Sequence, residues 1–145
     1  MSKEPVFWDA SALVPLCVQE NTSRQAQLQL RRSLPVVWWA SGVEVHSAVA
    51  RLYRHRKLRD VEKKGALSRL DVLSRAWREI LPSDWLGDLA RQLLDTYELR
   101  SADSLQLAAA LTWCQHRPSR RTFISADQRL SKCATAAGFS VVELT

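Results

Sequence analysis

The stretch VFWDASALV, residues 6–14, decides the fold. Its first three residues are large and apolar, as expected of a β-strand that is covered on both faces. A short helical segment follows from Ser11. Asp9 separates the strand from this segment, and a carboxylate without a partner is costly in such apolar surroundings. The stretch therefore predicts a buried strand that ends at an acidic residue which packing alone does not explain.

The alternation of strands and helices continues along the chain. Strands are predicted at residues 6–8, 35–39, 79–81, 122–125 and 140–144. Helices are predicted from residue 11, over 22–32, 41–57 (with Ser41 as its cap), 60–77 and 84–97, from residue 101, and from 127 to Gly138. The helix from residue 101 is apolar almost all round and is expected to be buried. Strands separated by helices predict a single α/β domain over residues 1–145, a three-layer α/β/α sandwich with a central, mainly parallel sheet of four to five strands.

The basic residues are concentrated in one segment. The chain carries 21 Lys and Arg against 15 Asp and Glu, a formal net charge of +6. Ten basic and three acidic residues lie in 51–78, so this segment carries +7 and the remainder of the chain −1. The segment is a candidate surface for RNA phosphates, or else a solvated helical face with internal ion pairs. The candidate RNA contacts are Arg51, Arg54, Arg56 and Lys57.

Cysteine usage and hydropathy indicate the cytoplasm. The three cysteines, Cys17, Cys114 and Cys133, are odd in number, and no C-x-x-C pair occurs. We expect buried free thiols in a reducing compartment. No signal peptide is recognisable, and no apolar run is long enough to span a bilayer. The sequence therefore predicts a cytoplasmic protein without a membrane partner.

Acidic residues follow the predicted strands at one edge of the sheet. Asp9 follows the first strand, Glu44 lies in the first turn of the helix after the second, and Asp127 comes two residues after the fourth. Since ligands of an open parallel sheet bind beyond the carboxyl ends of its strands, these three residues share one rim. Asp103 begins the buried helix and reaches this rim only if packing brings it there. Taken one at a time, Glu44, Asp103 and Asp127 are also explained as acids that favour helix N-termini.

Several carboxylates on one rim repel one another unless a cation joins them. An all-oxygen, charge-dense set of ligands suits Mg²⁺ or Mn²⁺. No competing catalytic set is recognisable: the three histidines form no paired motif, and there is no P-loop, G-x-G-x-x-G, nucleophile elbow or H-E-x-x-H. A hard metal without a protein nucleophile indicates hydrolysis of a phosphodiester by metal-activated water.

Four segments, taken in order, resemble the acidic motifs of PIN-domain nucleases. FWDASALV at 7–14 resembles their opening D-x-S-A-L motif, and SGVEV at 41–45 resembles their second acidic position. LRSADSLQLAAA at 99–110 resembles the third, L-x-x-x-D-x-x-x-L-A-A-A, and FISADQRL at 123–130 resembles the fourth, F-x-[ST]-x-D. The likeness runs from about residue 5 to 144, and the length is similar to that of VapC-type toxins of bacterial toxin–antitoxin pairs.

This resemblance implies a PIN-like fold and a Mg²⁺- or Mn²⁺-dependent endoribonuclease. It also implies a homodimer that is held inactive by a cognate antitoxin, which inserts into the active-site groove. By the same resemblance, Asp9, Glu44 and Asp103 hold the catalytic metal. Asp127 completes the site, through a water or a second ion.

Three further positions are interpreted through the resemblance. Ser11 and Ser125 match small hydroxyl positions that orient the carboxylates or a metal-bound water. For Ser125 the simpler alternative is a cap for the helix that follows. Gln106 departs from the family, in which His or a similar polar residue is common.

Other classes of protein with a strand-end aspartate fit less well. A dehalogenase-like phosphatase with Asp9 as nucleophile needs an acid two residues later, where Ser11 stands. A receiver domain needs an acidic pair and a late strand-end lysine, and residues 141–144 supply none. The remaining alternative is a PIN-like RNA-binding or RNA-processing protein outside a toxin–antitoxin system, including a non-catalytic one. The presence of all four acids argues against loss of catalysis.

Overall fold

Five parallel strands form the central sheet of the computed structural model, which describes residues 3–145. The strands are β1 (Glu4–Trp8), β2 (Ser33–Trp38), β3 (Arg78–Ile80), β4 (Thr122–Ser125) and β5 (Ser140–Glu143). Their order in the sheet is β3-β2-β1-β4-β5, and every neighbouring pair is parallel. The predicted sheet is confirmed, and it is parallel throughout.

Helices connect the strands and cover both faces of the sheet. They are α1 (Ala10–Cys17), α2 (Ser23–Arg32), α3 (Ser41–Arg54), α4 (Asp60–Ala76), α5 (Asp84–Thr96), α6 (Ser101–Trp113) and α7 (Gln128–Ala137). One buried apolar cluster joins the sheet to α1–α4, and a second joins it to α5–α7. The predicted three-layer α/β/α sandwich is therefore confirmed.

The central strand β1 contributes to both cores. Phe7 is fully buried in the cluster with α5–α7, where its ring stacks on Phe123 of β4 with 5.2 Å between centroids. Trp8 is fully buried in the cluster with α1–α4, and its indole N–H donates to Ser33 Oγ at 3.2 Å. Since successive side chains of a strand point to opposite faces, the two cores explain why β1 is apolar without alternation.

The order of the strands reverses at β1. From β1 the chain first builds the β2–β3 half of the sheet and then crosses to β4 and β5 on the other side. The carboxyl ends of β1 and β4 are neighbours, with Trp8 opposite Ile124 in register. Such a reversal opens a crevice between the connections that leave the sheet, and ligands of open α/β sheets bind there. The fold therefore places Asp9 and Ser125, which come next in each strand's direction, at this crevice.

The helix α6 is buried, as its apolar sequence predicts. Residues 106–111 are all buried, and the alanines 108–110 are small enough to let the helix lie close against its neighbours. They belong to the cluster that also contains Leu86 and Leu89 of α5 and Val36 of β2. This packing fixes the position of the first turn of α6, which carries Asp103.

Ser41 does not cap α3. The residue before the helix is Ala40, which makes no side-chain capping bond, and Ser41 is the first helical residue and is fully buried. The expectation of buried free thiols is confirmed, because Cys17, Cys114 and Cys133 are all buried and unpaired. Within residues 3–145, no helix combines the length and apolar character that crossing a bilayer requires.

Candidate functional site

Asp9 anchors the site at the carboxyl end of the central strand. Its backbone N–H donates to Ile124 O at 3.1 Å, which extends the pairing of β1 with β4 by one residue. Its side chain is only 1% exposed. Oδ1 accepts hydrogen bonds from Ser11 Oγ at 2.5 Å and from the Ala12 N–H at 3.2 Å, and Oδ2 accepts one from Ser125 Oγ at 2.5 Å. Both oxygens of this carboxylate are thus held by neutral donors.

Burial dominates the ionisation of Asp9. It raises the pKa of Asp9 to about 6, although the hydrogen bonds from Ser11, Ser125 and the backbone act to lower it. Neutral donors therefore compensate the buried charge only in part, because they supply no opposite charge.

Ser11 and Ser125 tie the ends of β1 and β4 together. The Ser11 hydroxyl donates to Asp9 and accepts from the Ala126 N–H at 2.9 Å. The Ser125 hydroxyl also donates to Asp9, and it accepts from the Asp127 N–H at 3.0 Å. Asp127, not Ser125, is the cap of α7. The capping alternative for Ser125 is therefore wrong, and both hydroxyls orient the Asp9 carboxylate.

Glu44 lies in the first turn of α3 and is half-buried. Its Oε2 accepts a hydrogen bond of 2.5 Å from Nε2 of Gln106, which also donates to Ser41 Oγ at 3.0 Å. Burial raises the pKa of Glu44, the charges of Asp9 and Asp103 raise it further, and the bond from Gln106 lowers it. The Glu44 carboxylate is therefore held by Gln106 and lies near the carboxylates of Asp9 and Asp103.

Gln106 is the residue whose importance the sequence analysis missed. Its side chain is 2% exposed, and its Oε1 atom is buried without a hydrogen-bond partner among the described residues. A buried glutamine normally satisfies both ends of its amide. The orientation of Gln106 is thus set by its donation to Glu44 and Ser41. The sequence offered two signals: Gln106 interrupts the apolar surface of a buried helix, and it stands where the resembled family commonly has His or a similar polar residue.

Asp103 and Asp127 lie on neighbouring helices. Asp127 Oδ1 caps α7 by accepting from the Leu130 N–H at 2.9 Å. Asp103 is in the first turn of α6, and burial raises its pKa. The charge of Asp127 raises the pKa of Asp103 further, whereas Arg100 and Arg129 act to lower it. Asp127 therefore caps α7, and its carboxylate also lies close enough to Asp103 to raise the pKa of that residue.

All four predicted acidic residues line one cavity of about 440 Å³, the site cavity. These residues are Asp9, Glu44, Asp103 and Asp127. Among residues 3–145, no Lys, Arg or His nitrogen lies within 4 Å of any of the four carboxylates. The packing of α6 thus brings Asp103 to the same rim as the three strand-end acids. The site cavity thus collects four acidic residues, and its one cationic lining residue, Arg51, forms no ion pair with them among residues 3–145.

The donor set of the site cavity fits a hard divalent cation. Carboxylate oxygens are the preferred ligands of Mg²⁺ and Mn²⁺. Within residues 3–145, however, no three His, Cys, Asp or Glu side chains are grouped closely enough to form a ready-made metal site. The four carboxylates therefore suit such an ion because they supply oxygen ligands and line the same cavity. They do not form a closed coordination shell in this structure.

The basic residues proposed for RNA contact divide into two groups. Arg51 lines the site cavity. Arg54, Arg56 and Lys57 are exposed near the end of α3 and do not line this cavity. A second basic set that the sequence analysis missed lies beside Asp103 and Asp127, and its members are Arg100, Arg129 and Lys132.

The fold matches several solved structures over nearly the full chain. A toxin–antitoxin complex from Klebsiella pneumoniae is 16% identical over 97% of this chain and 98% of its own, with a TM-score of 0.60. VapBC2 from Rickettsia felis, solved with a DNA fragment from its promoter, is 14% identical over 95% of this chain and 98% of its own, with a TM-score of 0.66. FitAcB from Neisseria gonorrhoeae is 16% identical over 93% of this chain and 96% of its own, with a TM-score of 0.64.

Similarity at the level of sequence is not detected. No family model matches the chain, and no curated protein matches it. At 14–16% identity, the structural matches establish the fold alone. The expected PIN-like α/β/α fold is therefore confirmed.

The raised pKa of Asp9 predicts how stability depends on pH. A carboxyl whose folded pKa is about 6, above its ordinary 3.8, binds its proton more tightly in the folded state. The contribution of Asp9 to the free energy of unfolding is therefore fully present below about pH 4. It is lost as the pH rises through 6, and the total loss is about 3 kcal/mol. We expect the free energy of unfolding of the wild type, relative to Asp9→Asn, to fall by up to this amount between pH 4 and 7. Urea denaturation in EDTA measures it.

The matched control for this measurement is Asp88→Asn, at an exposed aspartate of α5. Its free energy of unfolding should follow that of the wild type across the same pH range. Parallel curves for the wild type and Asp9→Asn would contradict the prediction.

The hydrogen bond from Gln106 predicts a measurable change at Glu44. The bond favours the ionised carboxylate, so Gln106→Met should raise the pKa of Glu44 further. The side-chain ¹³C shift of Glu44, followed against pH in metal-free protein, measures this pKa. Gln92→Met, at an exposed position of α5, is the control and should leave it unchanged. An unchanged titration of Glu44 in Gln106→Met would show that the bond is not formed in solution.

Proposed function

We propose that this protein is a Mg²⁺- or Mn²⁺-dependent endoribonuclease and the toxin of a toxin–antitoxin pair. One observation carries the proposal: four carboxylates from separate parts of the chain share the site cavity, and among residues 3–145 no cationic side chain lies within 4 Å of them. Burial raises the pKa of three of the four, Asp9, Glu44 and Asp103, and neighbouring acids add to the effect at Glu44 and Asp103. A divalent cation relieves such repulsion.

The proposed ligands of the metal are Asp9, Glu44 and Asp103, with Asp127 completing the site. When bound, such an ion neutralises charge on the phosphodiester and lowers the pKa of a water molecule. The proposal is supported by the oxygen-only donor set and by the position of the cavity at the switch point of the sheet.

The surrounding residues keep the carboxylates in place. Ser11 and Ser125 hold both oxygens of Asp9, and Gln106 holds one oxygen of Glu44. Because Ser125 and Gln106 are themselves buried, the carboxylates that they bind have little freedom to turn away from the cavity. Partners of this kind typically change metal affinity or activity 10–100-fold when they are removed.

An RNA substrate is supported by the basic side chains at the border of the site cavity. Arg51 lines the cavity directly, and Arg54, Arg56 and Lys57 continue beyond it at the end of α3. Cations placed this way bind phosphates without reading the base. The choice of RNA over other phosphodiesters rests on the resemblance of the four motifs to PIN-domain nucleases.

An antitoxin and a second copy of the chain are the proposed protein partners. Beside the site cavity, Trp39 and Val43 are 51% and 69% exposed and line an open apolar depression together with Gly42. Large exposed apolar side chains grouped in this way are typical of interaction surfaces. The fold match to a toxin–antitoxin complex from Klebsiella pneumoniae supports the same proposal.

Removal of one carboxylate provides the main test of the activity. We expect Asp9→Asn and Asp103→Asn each to lower the rate of RNA cleavage by at least about 100-fold, because each loses a proposed metal ligand. EDTA should abolish cleavage by the wild type, and added Mn²⁺ should restore it. Asp88→Asn is the control, and circular dichroism checks that every variant is folded. Cleavage that survives EDTA, or full cleavage by pure Asp9→Asn, would overturn the proposal.

Charge reversal tests the basic end of α3. Replacing Arg54, Arg56 and Lys57 with Glu should weaken RNA binding and flatten its dependence on salt, since fewer counterions are then released. Fluorescence anisotropy with labelled RNA at several salt concentrations gives the slope. A slope equal to that of the wild type would show that these side chains form a solvated face and do not contact RNA.

A further inference from the structure

A second cavity, of about 770 Å³, opens beside the site cavity. Three cationic side chains line it, Arg100 just before α6 and Arg129 and Lys132 on α7, together with three acidic residues, Glu98, Asp103 and Asp127. We call this second cavity the basic groove. Asp103 and Asp127 line both the basic groove and the site cavity. The two cavities therefore adjoin at these two carboxylates.

The cations of the basic groove form no ion pair among residues 3–145. All three are exposed, and among residues 3–145 no carboxylate oxygen lies within 4 Å of their nitrogens. Arg129 and Lys132 are three residues apart on α7, so their side chains lie on one face of that helix. Arg100 and Arg129 act electrostatically on Asp103, which places their charge next to the site cavity.

The basic segment 51–78 differs in this respect. Arg59 pairs with Glu62 at 3.2 Å, and Arg75 pairs with Asp71 at 2.6 Å. Arg69 donates to the Cys17 carbonyl oxygen at 2.8 Å. Part of the charge that dominates the sequence is thus paired internally, whereas the smaller basic set, just before α6 and on α7, remains free for a ligand.

The two sets of cations border the four carboxylates on different sides. Arg51 lines the site cavity but not the basic groove, and Arg129 and Lys132 line the basic groove but not the site cavity. Asp103 and Asp127 lie between them. A linear polyanion that enters over Lys132 and leaves over Arg51 therefore passes across the carboxylates.

We infer that the basic groove binds the backbone phosphates of single-stranded RNA next to the phosphodiester that is cleaved. This inference rests on the proposed function and adds the path of the substrate to it. RNA is favoured over an acidic protein segment because the groove is lined by two of the carboxylates that would act on a phosphodiester, Asp103 and Asp127. Phosphate contacts of this kind position a strand and carry no sequence information.

The test measures binding without cleavage. A short fluorescein-labelled single-stranded RNA is titrated with full-length protein in EDTA at several salt concentrations, and anisotropy gives the dissociation constant. The groove variant is Arg129→Gln/Lys132→Gln. Its matched control, Arg31→Gln/Arg32→Gln, removes the same charge from exposed positions of α2 in the opposite layer. Glutamine favours helices, and melting curves verify that both variants are folded.

We expect the groove variant to bind RNA about tenfold more weakly, and its log–log salt slope to be smaller by about 1.4, the value for two lost phosphate contacts to a single strand. The control should bind RNA like the wild type. An unchanged dissociation constant and slope in the groove variant would overturn the inference. It would also be overturned if poly-glutamate bound the wild type as tightly as RNA does and lost affinity equally in the groove variant.

Cleavage assays separate this inference from the proposed function. If the wild type and the groove variant cleave RNA in Mn²⁺ with equal KM, the nuclease proposal stands and the inference fails. If the wild type binds RNA through the groove but shows no metal-dependent cleavage, phosphate binding by the groove stands, and the nuclease proposal fails together with the placement of a cleaved bond beside the groove.

Discussion

The burial of the Asp9 carboxylate at the carboxyl end of β1 is the constraint on which the site depends. A charged group in this position is costly, and its pKa rises to about 6. Hydrogen bonds from Ser11, Ser125 and the Ala12 N–H offset part of the cost. Since Ser125 ends β4, its bond to Asp9 can form only where β1 and β4 are neighbours. The geometry of Asp9 therefore depends on the strand order.

The same principle extends from Asp9 to Glu44. Each carboxylate has an uncharged donor that is itself buried, Ser125 for Asp9 and Gln106 for Glu44. Neutral donors fix the direction of a carboxylate and leave its charge available to a ligand, whereas an arginine partner would neutralise that charge. The site thus holds preorganised negative charge at a cost in stability. Such a sacrifice of stability is typical of functional sites.

The distribution of charge in space differs from its distribution along the chain. The sequence concentrates +7 between residues 51 and 78, but ion pairs and a backbone contact hold part of it within the protein. The cations next to the carboxylates are fewer and come from two distant segments, Arg51 on α3 and the basic groove on α6 and α7. Because Coulomb interactions depend on distance, these few cations bear most directly on a ligand at the site.

The sequence by itself determined the strands, the buried α6 and the edge at which Asp9, Glu44 and Asp127 meet. Apolar runs specify buried strands, and the carboxyl ends of parallel strands share one edge. Only the tertiary structure decided that Asp103 joins them, that Gln106 holds Glu44, and that the basic groove adjoins the site. The bond between Gln106 and Glu44 spans 62 residues of chain, and that between Ser125 and Asp9 spans 116. Such contacts depend on which faces pack together, and no local pattern specifies that.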